Sequence, residues 1–215
     1  MKKFICVILS IVLLLSVSIS AFAESEKEMA AKDLETYGIV GRNVLGDLTI
    51  EGPVTRATMA KMLVMMQKIT PEKTKTVFSD VPEEHWASGF VSTAVNLGFV
   101  NGMGDGTFLP DEFITYEQAI KMIVRALGYG EDAERKGGYP YGYIMVGTTL
   151  GITPNGVSVS DSADRGEIMI MLSKALDIPL MVMKSFSATD DNKYTIMNGK
   201  NGVEYRTLRT MLEAK

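Results

Sequence analysis

The run Phe78-Ser79-Asp80-Val81-Pro82, followed by His85-Trp86-Ala87, Leu97-Gly98-Phe99-Val100 and Ile114-Thr115-Tyr116-Glu117-Gln118, decides the fold. After Val81-Pro82, the residues Trp86, Phe90 and Ala94 recur every four positions, and so do Ala87, Val91 and Val95. That period lays one apolar face along a helix. Gly98 supplies the left-handed cap that ends the helix, and the apolar residue after it packs back. The segment Asn101 to Pro110 reads as a tight loop around the turn dipeptide Asp105-Gly106. Thr115 with Gln118 three residues on is a capping-box pattern, which opens a second helix running to Leu127-Gly128.

The same pattern returns on both sides. Sixty residues earlier, Tyr37-Gly38-Ile39-Val40 matches the helix stop, and Val54-Thr55-Arg56-Ala57-Thr58 matches the second helix start. On the C-terminal side, Leu150-Gly151-Ile152 lies 53 residues after the stop, and Asp164-Arg165-Gly166-Glu167 lies 49 residues after Thr115 to Gln118. Fixed-period self-similarity of this kind marks a repeat architecture. The second helices are apolar nearly all round, so an all-α fold is expected with those three helices central and the first helices outside. Met59, Met62, Met65 and Met66 read as deformable core filling rather than a metal or cofactor box. The capping box is expected complete in repeats two and three, through Gln118 and Glu167, and half made in repeat one, where Thr58 replaces the acid.

The repeats divide the chain into 24–70, 78–130 and 137–178, with an extension over 179–215. In that extension 193–197 reads as a strand, 203–205 as its return in a small β-hairpin, and 208–214 as a helical turn or two. It reads as the start of something rather than a finished domain. Residues 1–23 read as a signal peptide: Lys2-Lys3, an apolar run, then Ala21-Phe22-Ala23. Cleavage there leaves 192 of the 215 residues, with 20 basic and 26 acidic side chains and no Cys. A net acidic chain without a basic run is a poor partner for nucleic acid. No later stretch is apolar enough for a membrane span.

No enzyme is read here. His85 is the one His, at a helix start where a surface or capping role fits it. A single His permits no HExxH-type zinc pattern, and Asn101 to Thr107 lacks the Asp spacing of a calcium loop. Neither cofactor nor metal is expected.

The string from Phe78 through Asp80, Trp86, Leu97-Gly98, Gly102, Asp105-Gly106-Thr107-Phe108 and Ile114-Thr115 resembles the S-layer homology repeat along its whole length. The wider resemblance covers about 30 to 178, and Tyr116-Glu117-Gln118 looks like the clostridial branch of that family. It implies three tandem repeats with pseudo-threefold symmetry. It also implies non-covalent attachment to secondary cell-wall polysaccharide through a pyruvylated amino sugar, in the wall or S-layer of a Gram-positive-type envelope. S-layer or other envelope proteins are further partners by the same resemblance. The alternative is a structural or assembly protein whose repeats no longer bind glycan. Members often carry more chain beyond such an extension.

The family's ligand Arg follows the cap of the second helix, beside free N–H groups and the positive end of the helix dipole. Arg56 and Arg165 hold that position in repeats one and three. Tyr116 holds it in repeat two, where it stacks on a sugar or closes the groove. Further candidates are Trp86, equally a packing residue, Asp80 and Asp105, turn residues first, and Gly102 and Glu167.

Overall fold

Three short extended segments, each ending in a helix cap, organise the molecule. The computed structural model describes residues 26–183, 194–196 and 206–214. The leader read at 1–23 and the return strand read at 203–205 lie outside them. The described residues form helices α1 (26–36), α2 (Arg56–Met66), α3 (Ser88–Asn96), α4 (Tyr116–Ala126), α5 (Gly130–Arg135), α6 (Tyr141–Thr149), α7 (Arg165–Leu176) and α8 (Leu208–Glu213). Two three-residue strands complete them, β1 (Met181–Met183) and β2 (Tyr194–Ile196). None of these helices is long and apolar enough to cross a membrane.

The segments before α2, α4 and α7 close a ring. Ile114 N donates to Val54 O (2.9 Å), Ala163 N to Ile114 O (2.8 Å), and Val54 N to Ala163 O (3.3 Å). All three side chains are fully buried at the hub. Extended backbone would leave its polar groups unpaired in an apolar centre, and the cycle satisfies them. Immediately after it, Thr55, Thr115 and Asp164 each turn the chain into a helix by accepting from a first-turn N–H. Of these three helices, α4 alone has the full capping box, where Gln118 bonds back to Thr115 N. In repeat three the expected box is half made. Asp164 accepts from Gly166 N and Glu167 N, but Glu167 turns to Lys27, 3.4 Å away. The nearby cation outcompetes the backbone N–H for that carboxylate.

The outer helices α1, α3 and α6 stop alike. Gly38, Gly98 and Gly151 have φ of 71°, 75° and 75°, and the next residue donates back to Leu34, Ala94 and Gly147 respectively. This is the Schellman geometry the Leu/Tyr-Gly-apolar pattern predicts. The principal packing runs between copies: α3 lies on α2, and α6 on α4. α1 lies along α7, where Ser173 Oγ donates to Asp33 (2.6 Å). The second helices are the buried ones, and Met59, Met62 and Met66 are core residues at 0–2 % exposure.

A further expectation, for Trp86, needs correction. Trp86 does not share the buried face of Ala87, Val91 and Ala94; it is 47 % exposed. α3 starts only at Ser88, because His85 Nδ1 accepts from Ala87 N (3.1 Å) and holds residues 82–87 in turns. Helical spacing therefore does not reach back to Trp86. The strand at 194–196 pairs antiparallel with 181–183, Met181 opposite Ile196. The extension also returns to the repeats. Leu180 N donates to Arg206 O, Met181 N to Leu127 O and Tyr129 OH to Pro179 O. Leu208 of α8 is fully buried.

Candidate functional site

Arg56 is the first residue of α2, so its side chain leaves the helix mouth toward the loop of the next copy. Its Nε donates to Phe108 O (2.8 Å), its Nη2 to Asn101 O (3.0 Å), and its guanidinium lies 4.7 Å from the Phe108 ring centroid. Asp80 sets that loop. Its carboxylate accepts from Phe108 N (2.9 Å) and Leu109 N (2.7 Å), which fixes the carbonyl that Arg56 grips. Gly102 is required at the wall, because a Cβ there would strike the Phe78 ring and the Thr107 carbonyl. Asp105 stays exposed in its turn, accepting from Thr107 N and Oγ1.

Opposite Arg56, α4 presents Gln118, Lys121 and Arg125 to the same cleft, and Tyr139 forms its rim. Lys121 Nζ lies 4.8 Å from the Tyr139 ring centroid and 5.7 Å from that of Tyr143. Asn101 bridges the walls. With its amide nitrogen donating to Val100 O, its oxygen accepts from Arg125 Nη1 at 3.0 Å. Lys121 and Arg125 are one helical turn apart, which puts them on one face. Among the described residues no carboxylate lines this cleft and none of its three cations forms an ion pair. Burial lowers the pKa of Arg56 and of Lys121, the latter lowered further by Arg125. Burial and a hydrogen bond to Glu117 push the Tyr139 phenol up to about 12, so the rim stays neutral. Unpaired, partly desolvated positive charge on facing walls creates a potential that an anion relieves.

The remaining candidates sit elsewhere. Arg165 heads α7 as Arg56 heads α2; its backbone N–H bonds Gly52 O, and its Nε is buried without a hydrogen-bond partner among the described residues. Tyr116 is 3 % exposed, and its hydroxyl accepts from Asp164 N (3.1 Å), so it packs inward. Glu167 lines a separate cleft with Glu26, Ile170 and Lys174. Trp86 stands 53 residues before Tyr139, the offset that relates Leu97-Gly98 to Leu150-Gly151. The structure thus gathers Arg56, Asp80 and Gly102 around one groove and adds Lys121, Arg125 and Tyr139, which motif reading passes over. Their one sequence signal is a Lys and an Arg on the face that Gln118 begins.

The S-layer homology domain pattern matches residues 77–120, from the loop before Asp80 into α4. A cell surface protein of Thermoanaerobacter kivui is 30 % identical over 198 residues, which cover 84 % of this chain and 25 % of that protein. The middle cell wall protein of Brevibacillus brevis is 31 % identical over 202 residues, covering 86 % of this chain and 19 % of it. A surface layer protein of Brevibacillus choshinensis is 31 % identical over 195 residues, 84 % of this chain and 17 % of it. The chain spans a quarter or less of the length of these relatives. With the matched pattern lying on the loop and helix that build the groove, the chain is an S-layer homology domain protein.

Proposed function

We propose that this chain is a non-catalytic envelope-anchoring module. It holds a protein at the cell surface by binding secondary cell-wall polysaccharide in the grooves between its repeats. The single observation that carries the reading is the Arg56 groove: three cations on facing walls, none ion-paired among the described residues, with an aromatic rim. A pyruvyl ketal on an amino sugar matches that chemistry. Its carboxylate takes the free guanidinium N–H groups of Arg56 and Arg125 and the ammonium of Lys121, as charge-assisted hydrogen bonds. The Tyr139 ring offers an apolar face for the sugar's C–H side. The names of the relatives, surface and cell wall proteins, agree with a site of action at the cell surface. Arg165 holds on α7 the place that Arg56 holds on α2.

The test is pull-down and calorimetric titration with purified wall polymer, intact and stripped of pyruvate. Intact polymer is retained and stripped polymer is not. Arg56→Ala weakens binding by about 10-fold or more, the value of one hydrogen bond to a charged group. Retention of stripped polymer, or Arg56→Ala binding as well as wild type, would refute the assignment. Self-association without wall binding would favour the assembly reading.

A further inference from the structure

The cleft at Glu167 is the Arg56 groove carried to the next copy. Offsets of 49 residues along the second helices place Glu167, Ile170, Met171 and Lys174 on Gln118, Lys121, Met122 and Arg125. An offset of 53 places Ile152 to Asn155 on Phe99 to Gly102. Sixty residues separate Arg56 from Tyr116. The rim matches as well: Gly151 and Gly38 are 113 residues apart, which sets Glu26 on Tyr139. Apart from Tyr116, which is buried, these corresponding residues line both clefts, so the ring of hydrogen bonds at the hub carries one groove into the other.

The chemistry of the two is reversed. Where the first has Arg56, the second has Tyr116, turned inward onto Asp164 N. Gln118 becomes the carboxylate Glu167, and Lys121 becomes the uncharged Ile170. Lys174 keeps the positive charge of Arg125, but Glu26 lies 3.3 Å from its Nζ. Lys27 is held to Asp164 at 2.8 Å and to Glu167 at 3.4 Å. The one cation lining this cleft among the described residues, Lys174, therefore already has a carboxylate of the chain beside it. Two carboxylates, Glu26 and Glu167, face any entering anion. Like charge at that range repels, and an entering anion would have to displace Glu26 from Lys174.

We infer that the groove at Tyr116, Glu167 and Lys174 is closed to anionic glycan. An internal carboxylate, Glu26, takes the place that the ligand's carboxylate takes beside Arg125, so the module engages the wall through the Arg56 groove and not through all three. The inference rests on the groove reading above and deepens it. The closed groove instead serves as an ion-paired joint that fixes the start of α1 onto α7. The third groove, headed by Arg165, keeps Lys61 and Trp86 at the positions of Lys121 and Tyr139, with Met65 replacing Arg125.

The decisive experiment compares symmetry-related cations. Calorimetric titration with a pyruvyl-ketal amino-sugar glycoside is run on the full chain and on Arg125→Ala and Lys174→Ala. Arg125→Ala is expected to weaken binding about 10-fold or more, and Lys174→Ala to leave it within about two-fold. The graft Tyr116→Arg, Glu167→Gln, Ile170→Lys and Glu26→Tyr is expected to add one binding equivalent per chain. Weakening by Lys174→Ala as large as by Arg125→Ala overturns the inference alone. So does a folded graft, checked by circular dichroism, that gains no equivalent. A graft that unfolds leaves the Arg125 and Lys174 pair to decide. Failure of the wild-type chain to bind the glycoside overturns the groove reading itself and the inference with it.

Discussion

Three helix-on-helix joints close the ring, and they are not made alike. α4 meets α6 through apolar surface: Ile120 presses so closely on Gly147 that a Cβ there would clash, and Tyr143 and Val146 are buried beside them. α2 meets α3 with Val91, Ala94 and the buried Met residues. The third joint brings α1 to α7 and α8, residues up to 176 apart in sequence, and it is threaded with ions. Arg209 spans Asp33 (2.7 and 2.9 Å) and Asp177 (2.9 Å), with its guanidinium 5.6 Å from the Tyr37 ring centroid. Lys27 and Lys174 add their pairs at the other end. α1 contributes small apolar residues, Ala30 and Ala31, besides Leu34. The difference teaches a division of labour. Large apolar contacts supply most of the stability, whereas directional ion pairs specify which helix closes the ring where little apolar area does so.

Breaking an apolar joint should have the largest effect. Ile120→Ala removes a fully buried side chain at the α4 and α6 contact and is expected to cost about 2–5 kcal/mol in denaturant unfolding. Arg209→Ala comes next, at about 2 kcal/mol, since it strands a half-buried Asp33 but is partly screened by water. Its specific mark is faster proteolysis near α8, while the α2 and α3 region stays protected. A loss from Arg209→Ala equal to that from Ile120→Ala would erase the distinction between the joints. Acid supplies a third probe. Hydrogen bonding to Arg209 holds Asp33 below its ordinary value of 3.8, so the unfolded chain takes the proton first. The contribution of the pair is full above that value and is lost as the pH falls through the lower folded one. Arg209→Ala should flatten that acid limb in unfolding experiments; an unchanged limb would mean Asp33 does not carry it.

Much of the fold was legible because it rests on local chemistry. Glycine at positive φ after each outer helix and an oxygen side chain before each inner one are set by the residues themselves, and Gly98 and Thr115 announce their roles alone. The pairing of helices was less legible. That α3 lies on α2 rather than within its own copy depends on the hub hydrogen bonds, which backbone atoms make and side chains do not advertise. Arg56 was visible from its place after a cap. Lys121, Arg125 and Tyr139 were not, because each reads alone as an ordinary surface residue and only the ring brings them opposite Arg56. Trp86 misled for the converse reason: its spacing was helical but its backbone was not.

The smallest expected effect tests the charged joint at its weakest pair. Glu26 and Lys174 are 43 % and 50 % exposed, so water already satisfies both charges and salt screens their attraction. Glu26→Gln should change unfolding stability by no more than about 0.5 kcal/mol, and less in high salt. The same substitution frees Lys174 at the mouth of the closed groove, yet Glu167, Ile170 and Tyr116 still stand in place of Gln118, Lys121 and Arg56. Glycoside titration of Glu26→Gln should therefore show no added equivalent, in contrast to the full graft. A new equivalent from Glu26→Gln alone would mean that one carboxylate, and not the reversed lining, keeps this groove shut.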